Sequence, residues 1–186
     1  ISEGGFTHIS VQYSGEILRH ETKPLTIALL KGLLEPILER EVNFINAPLI
    51  AEERGIEVTE SKVSKVEDFA NLIVVETMTE KGGNIVAGTV LGRKEPRLVR
   101  IGEFDLDVIP EGYMLLCSNL DKPGVIGKIG TMLGNRNINI AGMQVGRKTV
   151  GGKALTIINV DCDISKEVLK EIEGLPEIME VKMVNL

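Results

Sequence analysis

Pro110-Glu111-Gly112 interrupts a run of strand-like alternation, and the patterns beyond it come in an order that few folds accept. The spacing predicts a strand from Tyr113 to Asn119, a helix from Gly124 to Asn135 and strands from Ile138 to Lys148 and Lys153 to Asp161. A helix from Ser165 to Glu173 and a strand from Ile178 to Val184 complete the series. Ser165 is a good N-cap and Gly174 a good stop for the last helix, whose Val168, Leu169 and Ile172 share the face that would meet a sheet. Strand, helix, strand, strand, helix, strand is the βαββαβ order of ferredoxin-like domains.

The first half has a different rhythm. Thr7 to Tyr13 alternates, with Ile9, Val11 and Tyr13 on one face and His8, Ser10 and Gln12 on the other, as a half-buried strand does. Pro24 opens a helix carrying Leu25, Ala28, Leu29, Gly32 and Leu33 along one side, and Pro36 ends or kinks it. Ala47 to Arg54 reads as a second helix, with Asn46 as its cap and Gly55 as its stop. Strand patterns follow at Ile56 to Lys62, Asn71 to Thr79, Ile85 to Leu91, Arg97 to Ile101 and Phe104 to Val108, with hairpin turns at Lys81-Gly82-Gly83-Asn84 and Gly102-Glu103. The expectation is an α+β fold in two domains: residues 1–110 with helices and an antiparallel sheet, then residues 111–186 as the βαββαβ module. Gly127, Gly130 and Gly134 inside one helix call for a packing reason, since each costs roughly 1 kcal/mol relative to Ala; close approach to the sheet or to a second copy of the domain would supply it.

Composition removes several classes of function. The net charge is -6, and four Phe, two Tyr and no Trp leave little for base stacking, so no nucleic-acid partner is expected. No apolar run approaches the roughly 18 residues of a membrane helix and no secretion signal opens the chain, so no membrane partner and a cytoplasmic location are expected. Ile1 stands where a start Met would, as in a piece of a longer or processed polypeptide. Cys117 and Cys162 lie in apolar strand patterns without metal spacing and are expected reduced and buried.

The junction between the strand ending at Asn119 and the next helix is the candidate site. Pro123 presets the first helical turn and Gly124 admits a ligand close to the backbone. The helix start offers unpaired N–H groups and about half a positive charge to an anion. Asp121 adds a negative charge one step away, so a molecule with a carboxylate and an ammonium on neighbouring atoms, an α-amino acid, suits the junction. Asn119, and Asn139 on the following strand, both donate and accept, which suits a ligand hydroxyl.

Catalytic and metal motifs do not emerge from the pattern. Gly124-x-x-Gly127-x-x-Gly130 has the wrong spacing for a dinucleotide fingerprint, and the phosphate-loop pattern is missing. His8 and His20 fit no metal or triad spacing, and the acidic pairs Glu52-Glu53 and Glu67-Asp68 read as solvated faces. Arg93, Lys94, Arg97 and Arg100 form a basic cluster in an acidic chain. Two readings stand: a charged hairpin edge that blocks strand pairing, or an anion site for phosphate or carboxylate centred on Arg97 and Arg100.

The second domain resembles the ACT family of small-molecule sensors. Asn119-Leu120-Asp121-Lys122-Pro123-Gly124-Val125-Ile126-Gly127 and Asn137-Ile138-Asn139-Ile140-Ala141-Gly142-Met143-Gln144 are similar to the C-terminal regulatory domain of D-3-phosphoglycerate dehydrogenases. The stretches Leu29 to Pro36, Val42 to Pro48 and Glu53 to Ile56 resemble the intervening, or allosteric substrate-binding, domain of the same family. The resemblance implies an amino-acid-sensing region that binds L-serine, or another small amino acid, for feedback inhibition of serine biosynthesis. The ligand residues it implies are Asn119, Asp121 and Asn139, with the backbone of Val125 and Ile126 on the carboxylate. It further implies a homo-oligomer, such as a dimer, joined through the ACT domain, and a phosphate-bearing effector at the basic residues. The parent would be an NAD-dependent dehydrogenase acting on 3-phosphoglycerate. No cofactor is expected in this region, the NAD belonging to domains that precede it. The alternatives are the regulatory part of an iron-sulfur L-serine dehydratase, whose Ser/His-rich motif is not visible here, and a purely structural oligomerisation module.

Overall fold

The computed structural model describes residues 5–64, 68–92 and 94–186. Ile1, Glu67 and Arg93, named above, lie outside the described residues. The chain divides into two compact units, residues 1–93 and 94–186.

In the first unit, β1 (Phe6–Gly15) leads through a short 3-10 turn (Glu16–Arg19) into α1 (Lys23–Leu34), a second 3-10 turn (Glu35–Ile37) and α2 (Ala47–Glu53). The strands β2 (Glu57–Val63), β3 (Asn71–Thr79) and β4 (Gly82–Leu91) follow, in the spatial order β2-β1-β3-β4. β3 pairs antiparallel with both β1 and β4, but β1 and β2 run parallel, Ile9 standing opposite Val58. The helices are therefore the crossover between two parallel neighbours, the connection such a pair requires, and the meander expected from the alternation begins only at β3. The predicted alternation in β1 holds. Ile9, Val11 and Tyr13 are fully buried with Leu30 and Leu34 of α1 and Ala47, Ile50 and Ala51 of α2. Each large aliphatic side chain among them contributes about 1.5–3 kcal/mol by leaving water. The buried Tyr13 hydroxyl is satisfied by Thr26 Oγ1 at 2.7 Å. On the opposite face His8 Nδ1 meets Glu57 at 3.2 Å and its Nε2 meets Thr59. Asn46 occupies the N-cap of α2, yet its side chain does not bond the helix. It turns back to accept from Asn43 N at 2.7 Å, while Asn43 Oδ1 accepts from the backbones of Ile45 and Asn46.

The second unit opens with the hairpin β5 (Glu95–Ile101) and β6 (Phe104–Val108). It continues as β7 (Tyr113–Leu120), α3 (Val125–Asn135), β8 (Ile140–Arg147), β9 (Lys153–Val160), α4 (Lys166–Glu173) and β10 (Ile178–Asn185). The last four strands form an antiparallel sheet in the order β10-β7-β9-β8, the α+β architecture expected of a βαββαβ module. Its helical face is the core: Leu115 and Cys117 of β7 and Ile158 and Val160 of β9 lie against Val125, Ile129 and Leu133 of α3 and Val168 and Ile172 of α4. Ser165 accepts from Val168 N and starts α4 as predicted.

The other face of this sheet carries the β5–β6 hairpin. Gly146 on β8 has no room for a side chain: a Cβ there would stand 2.8 Å from Leu106 Cδ2 and 2.9 Å from Phe104 Cβ. Asn159 on β9 donates to the carbonyls of Ile109 and Glu111. This packing puts the compact-unit boundary upstream of the hairpin, whereas the sequence break at Pro110 lies after it.

One expectation is corrected and another is narrowed. Cys117 is buried, but Cys162 lies past the end of β9 and is exposed; both are free thiols. The α3 glycines are not held by the sheet: a Cβ added at Gly127 or Gly134 would meet nothing within 4 Å, and one at Gly130 would meet only Ile140 at 4.0 Å. No helix of the described residues is long and apolar enough to cross a membrane.

Candidate functional site

The end of β7 is held on both sides before the chain turns into α3. Leu120 N donates to Glu177 O and Asp121 N donates to Gly152 O, each at 2.8 Å, so the site's floor is the end of a four-stranded sheet. Gly124 adopts φ 90, a left-handed conformation that L side chains resist, and the chain enters α3 directly behind it. The first intrahelical bond closes from Lys128 N to Gly124 O, while Val125 N makes only a 3.4 Å contact with Lys122 O. The N–H groups of Ile126 and Gly127 have no acceptor among the described residues. They point the positive end of an 11-residue helix outward. Lys128 does not reach across this opening; its ammonium is clasped by both oxygens of Glu177, at 2.9 and 3.1 Å, which holds the Glu177 carboxyl below its usual range.

Asp121 provides the negative charge, but not a free one. Its Oδ2 accepts from Arg147 Nη1 at 2.9 Å and from Gly151 N at 3.3 Å. The Arg147 hydrogen bond, then the Gly151 amide, hold the Asp121 carboxyl below its ordinary range. Arg147 ends β8 and Gly151 lies in the turn to β9, so this pairing ties the β7–α3 junction to the far side of the β8–β9 hairpin. Sequence reading missed Arg147. The signal available was its place next to last in the strand predicted from Ile138 to Lys148, at the same end of the sheet as Asp121 once the antiparallel order is drawn.

The other predicted residues divide. Asn119 is 2 % exposed and faces the core, where its Oδ1 accepts from the buried Thr156 hydroxyl at 2.8 Å and its Nδ2 donates to Leu120 O. Asn139 is at the wrong end of the sheet to join Asp121 within one chain. β8 runs from Ile140 opposite Val160 to Arg147 opposite Ala154, and Leu120 stands opposite Lys153. Asn139 therefore lies beside Asp161, to which its Nδ2 donates at 2.8 Å, roughly 25 Å of strand away from Asp121 at about 3.3 Å per residue. Asn119, Asp121, Val125 and Ile126 form one group and Asn139 stands apart.

Within the basic cluster, Arg97 and Arg100 are matched by carboxylates. Arg97 pairs with Glu95 at 3.0 Å and Asp107 at 3.1 Å, and Arg100 with Asp105 at 3.0 Å. Strict alternation would put Arg97 and Arg100 on opposite faces, but the register shifts between Leu98 and Arg100, and both reach carboxylates two residues apart on β6. This is the arrangement of a charged hairpin. Among the described residues no cluster of three or more His, Cys, Asp or Glu side chains is placed to hold a metal ion.

Comparison with known proteins agrees with this architecture. Residues 1–102 match the family model of the D-3-phosphoglycerate dehydrogenase intervening domain, and residues 113–177 match the ACT domain. The chain is 40% identical over 185 residues to D-3-phosphoglycerate dehydrogenase of Archaeoglobus fulgidus, covering 98% of this chain and 35% of that protein. It is 36% identical over 186 residues to the enzyme of that name from Methanocaldococcus jannaschii, covering 100% of this chain and 35% of the relative. With the Bacillus subtilis enzyme it shares 36% over 178 residues, 96% of this chain and 34% of the relative. The chain thus spans about a third of the length of these relatives and matches their C-terminal part. It belongs to the D-3-phosphoglycerate dehydrogenase family, of which it is the intervening domain and the ACT-domain regulatory region.

Proposed function

We propose that this chain is the amino-acid-sensing region of a D-3-phosphoglycerate dehydrogenase and binds L-serine for feedback control of serine synthesis. The parent would be the NAD-dependent oxidoreductase acting on 3-phosphoglycerate, with the nucleotide held by domains outside this chain. The observation that carries the reading is that the N–H groups of Ile126 and Gly127 stand open at the start of α3, with Asp121 in the connection four residues before that helix. A carboxylate on the amides and an ammonium toward Asp121 is the charge pattern of a free amino acid. Asn139 completes such a site only from a second copy, so the reading includes a homo-oligomer in which one protomer supplies the α3 junction and its partner supplies the asparagine. An isologous pair would contain two equivalent sites.

Charge-assisted hydrogen bonds of about 1.5–3 kcal/mol each, less an association cost of about 4 kcal/mol or more, give micromolar to millimolar affinity. That suits a metabolite sensor. Calorimetry with L-serine on the wild type, Asp121→Asn and Asn139→Ala tests it. Heat with the wild type that falls at least tenfold in affinity in both variants supports the site; equal heats for all three discard it.

A structural module that binds nothing has one observation in its favour: Asn119, Asp121 and Asn139 each already have a partner in the chain. A thermal-shift screen of the common amino acids decides between the two. A ligand that binds only the folded state adds about 2.7 kcal/mol at 100 times its dissociation constant, and no shift with any amino acid leaves the structural reading.

A further inference from the structure

We propose that Arg147 is the internal competitor for the ligand ammonium at Asp121, so that the Arg147–Asp121 pair sets the affinity threshold of the site and its release reports binding to the end of β8. The inference rests on the amino-acid reading above. Arg147 Nη1 lies 2.9 Å from Asp121 Oδ2, in the position a ligand ammonium would take, and Gly151 N fills a second position on the same oxygen. One carboxylate cannot neutralise a guanidinium and an ammonium together. The arriving ammonium either displaces Arg147 or binds beside it against repulsion, and in both cases the guanidinium weakens the ligand. Arg147 is half exposed, so water can take over its charge once it leaves.

Release has somewhere to go. Arg147 directly follows Gly146, which is in close contact with Leu106 and Phe104 of the β5–β6 hairpin, and it directly precedes Lys148, which pairs with Glu103 in the hairpin turn at 4.0 Å. The turn behind it is tied to Asp121 twice, through Gly151 N and through Gly152 O. An exchange of partner at Asp121 therefore acts on the one end of β8 that also carries the hairpin, with no other element needed between them.

The test is calorimetry with L-serine on the wild type, Arg147→Met, Arg147→Lys and Asp121→Asn. An exposed ion pair of this kind changes affinity by roughly two- to fivefold. Arg147→Met should tighten serine binding by that factor, and Arg147→Lys, which keeps the charge, should stay near the wild type. In the wild-type protein the Arg147 Nε–Hε resonance should also move on saturation with serine, a readout independent of whether the variants fold. Wild-type binding that is abolished in Asp121→Asn yet unchanged or weakened in Arg147→Met, with a static arginine resonance, overturns the inference and leaves the serine site standing. No heat with the wild type or with Arg147→Met overturns both.

Discussion

Gly142 and Gly146 lie on the same strand, four residues apart and hence on the same face, and they offer an internally controlled test of how the β5–β6 hairpin is held. Replacing glycine by alanine in a strand removes backbone freedom from the unfolded chain and stabilises by roughly 0.5–1 kcal/mol when space exists. At Gly142 it exists: the new Cβ would meet Asn159 Oδ1 at 3.8 Å, an ordinary contact. At Gly146 the same atom would stand 2.8 Å from Leu106 Cδ2, 2.9 Å from Phe104 Cβ and 3.1 Å from Asp105 O. Two of these neighbours are a strand's own Cβ and carbonyl, which cannot swing away as a side-chain tip can. Overpacking of this kind costs about 1–3 kcal/mol, so Gly146→Ala should be less stable than Gly142→Ala by about that amount. At about 2–4 °C per kcal/mol for a chain of this size, the two melting points should differ by several degrees. Hydrogen exchange should show the loss in β5 and β6, whose amides open first when the hairpin is pushed off the sheet. Equal melting points, or equal protection of the hairpin in the two variants, would refute the packing argument.

Asn119→Ala should destabilise by about 1–3 kcal/mol, because it strands the fully buried Thr156 hydroxyl; adding Thr156→Val should recover most of the loss, and strictly additive chemical-denaturation values would refute the pairing. Burial pushes the Cys117 thiol from its ordinary 9.0 up to about 12. Below pH 9.0 neither state ionises there; between the two values only the unfolded chain does, so stability falls as pH rises through that window. Urea titrations should show a slope that Cys117→Ala reduces, and a thiol reagent at neutral pH should label only Cys162 in the folded protein. The Asp121 carboxyl is depressed, so its pairing contributes fully above the ordinary carboxylate pKa of about 3.9 and is lost as pH falls through the lower folded value. Carbon NMR should find Asp121 titrating below a free aspartate and rising in Arg147→Met; a value at or above the free one in the wild type would contradict the ion pair.

What the sequence disclosed was local. The alternation of Ile9, Val11 and Tyr13, the Ser165 cap and the two-residue and 3.6-residue periods are all set by neighbours along the chain, and the strands and helices follow them closely. What it concealed was long-range. Nothing in the strand pattern of Glu57–Val63 says that it pairs parallel with β1, because the partner is chosen by the helices packed between them. The shift at Leu98 that brings Arg97 and Arg100 to one set of carboxylates is invisible to a two-residue period. Asp121 could be identified as a charge beside a helix start, but Arg147 lies 26 residues further along the chain and meets it only through the sheet. Asn46 is a good cap by residue type, yet Asn43 competes successfully for its side chain.

The separation of Asn139 from Asp121 has a consequence for how the proposed sensor would work. Each lies at an opposite end of one rigid sheet, and the strand between them does not shorten, so no motion inside the unit brings both to one ligand. A site that uses both is intermolecular by geometry. Ligand binding and association are then reciprocally linked: serine must strengthen the dimer by the same factor by which the dimer strengthens serine binding. Dilution should weaken apparent serine affinity in step with dissociation, and saturating serine should move the monomer–dimer midpoint in sedimentation to lower concentration. Serine affinity that stays constant from the associated to the fully monomeric range would mean that one chain supplies every contact, with Asn139 taking no part.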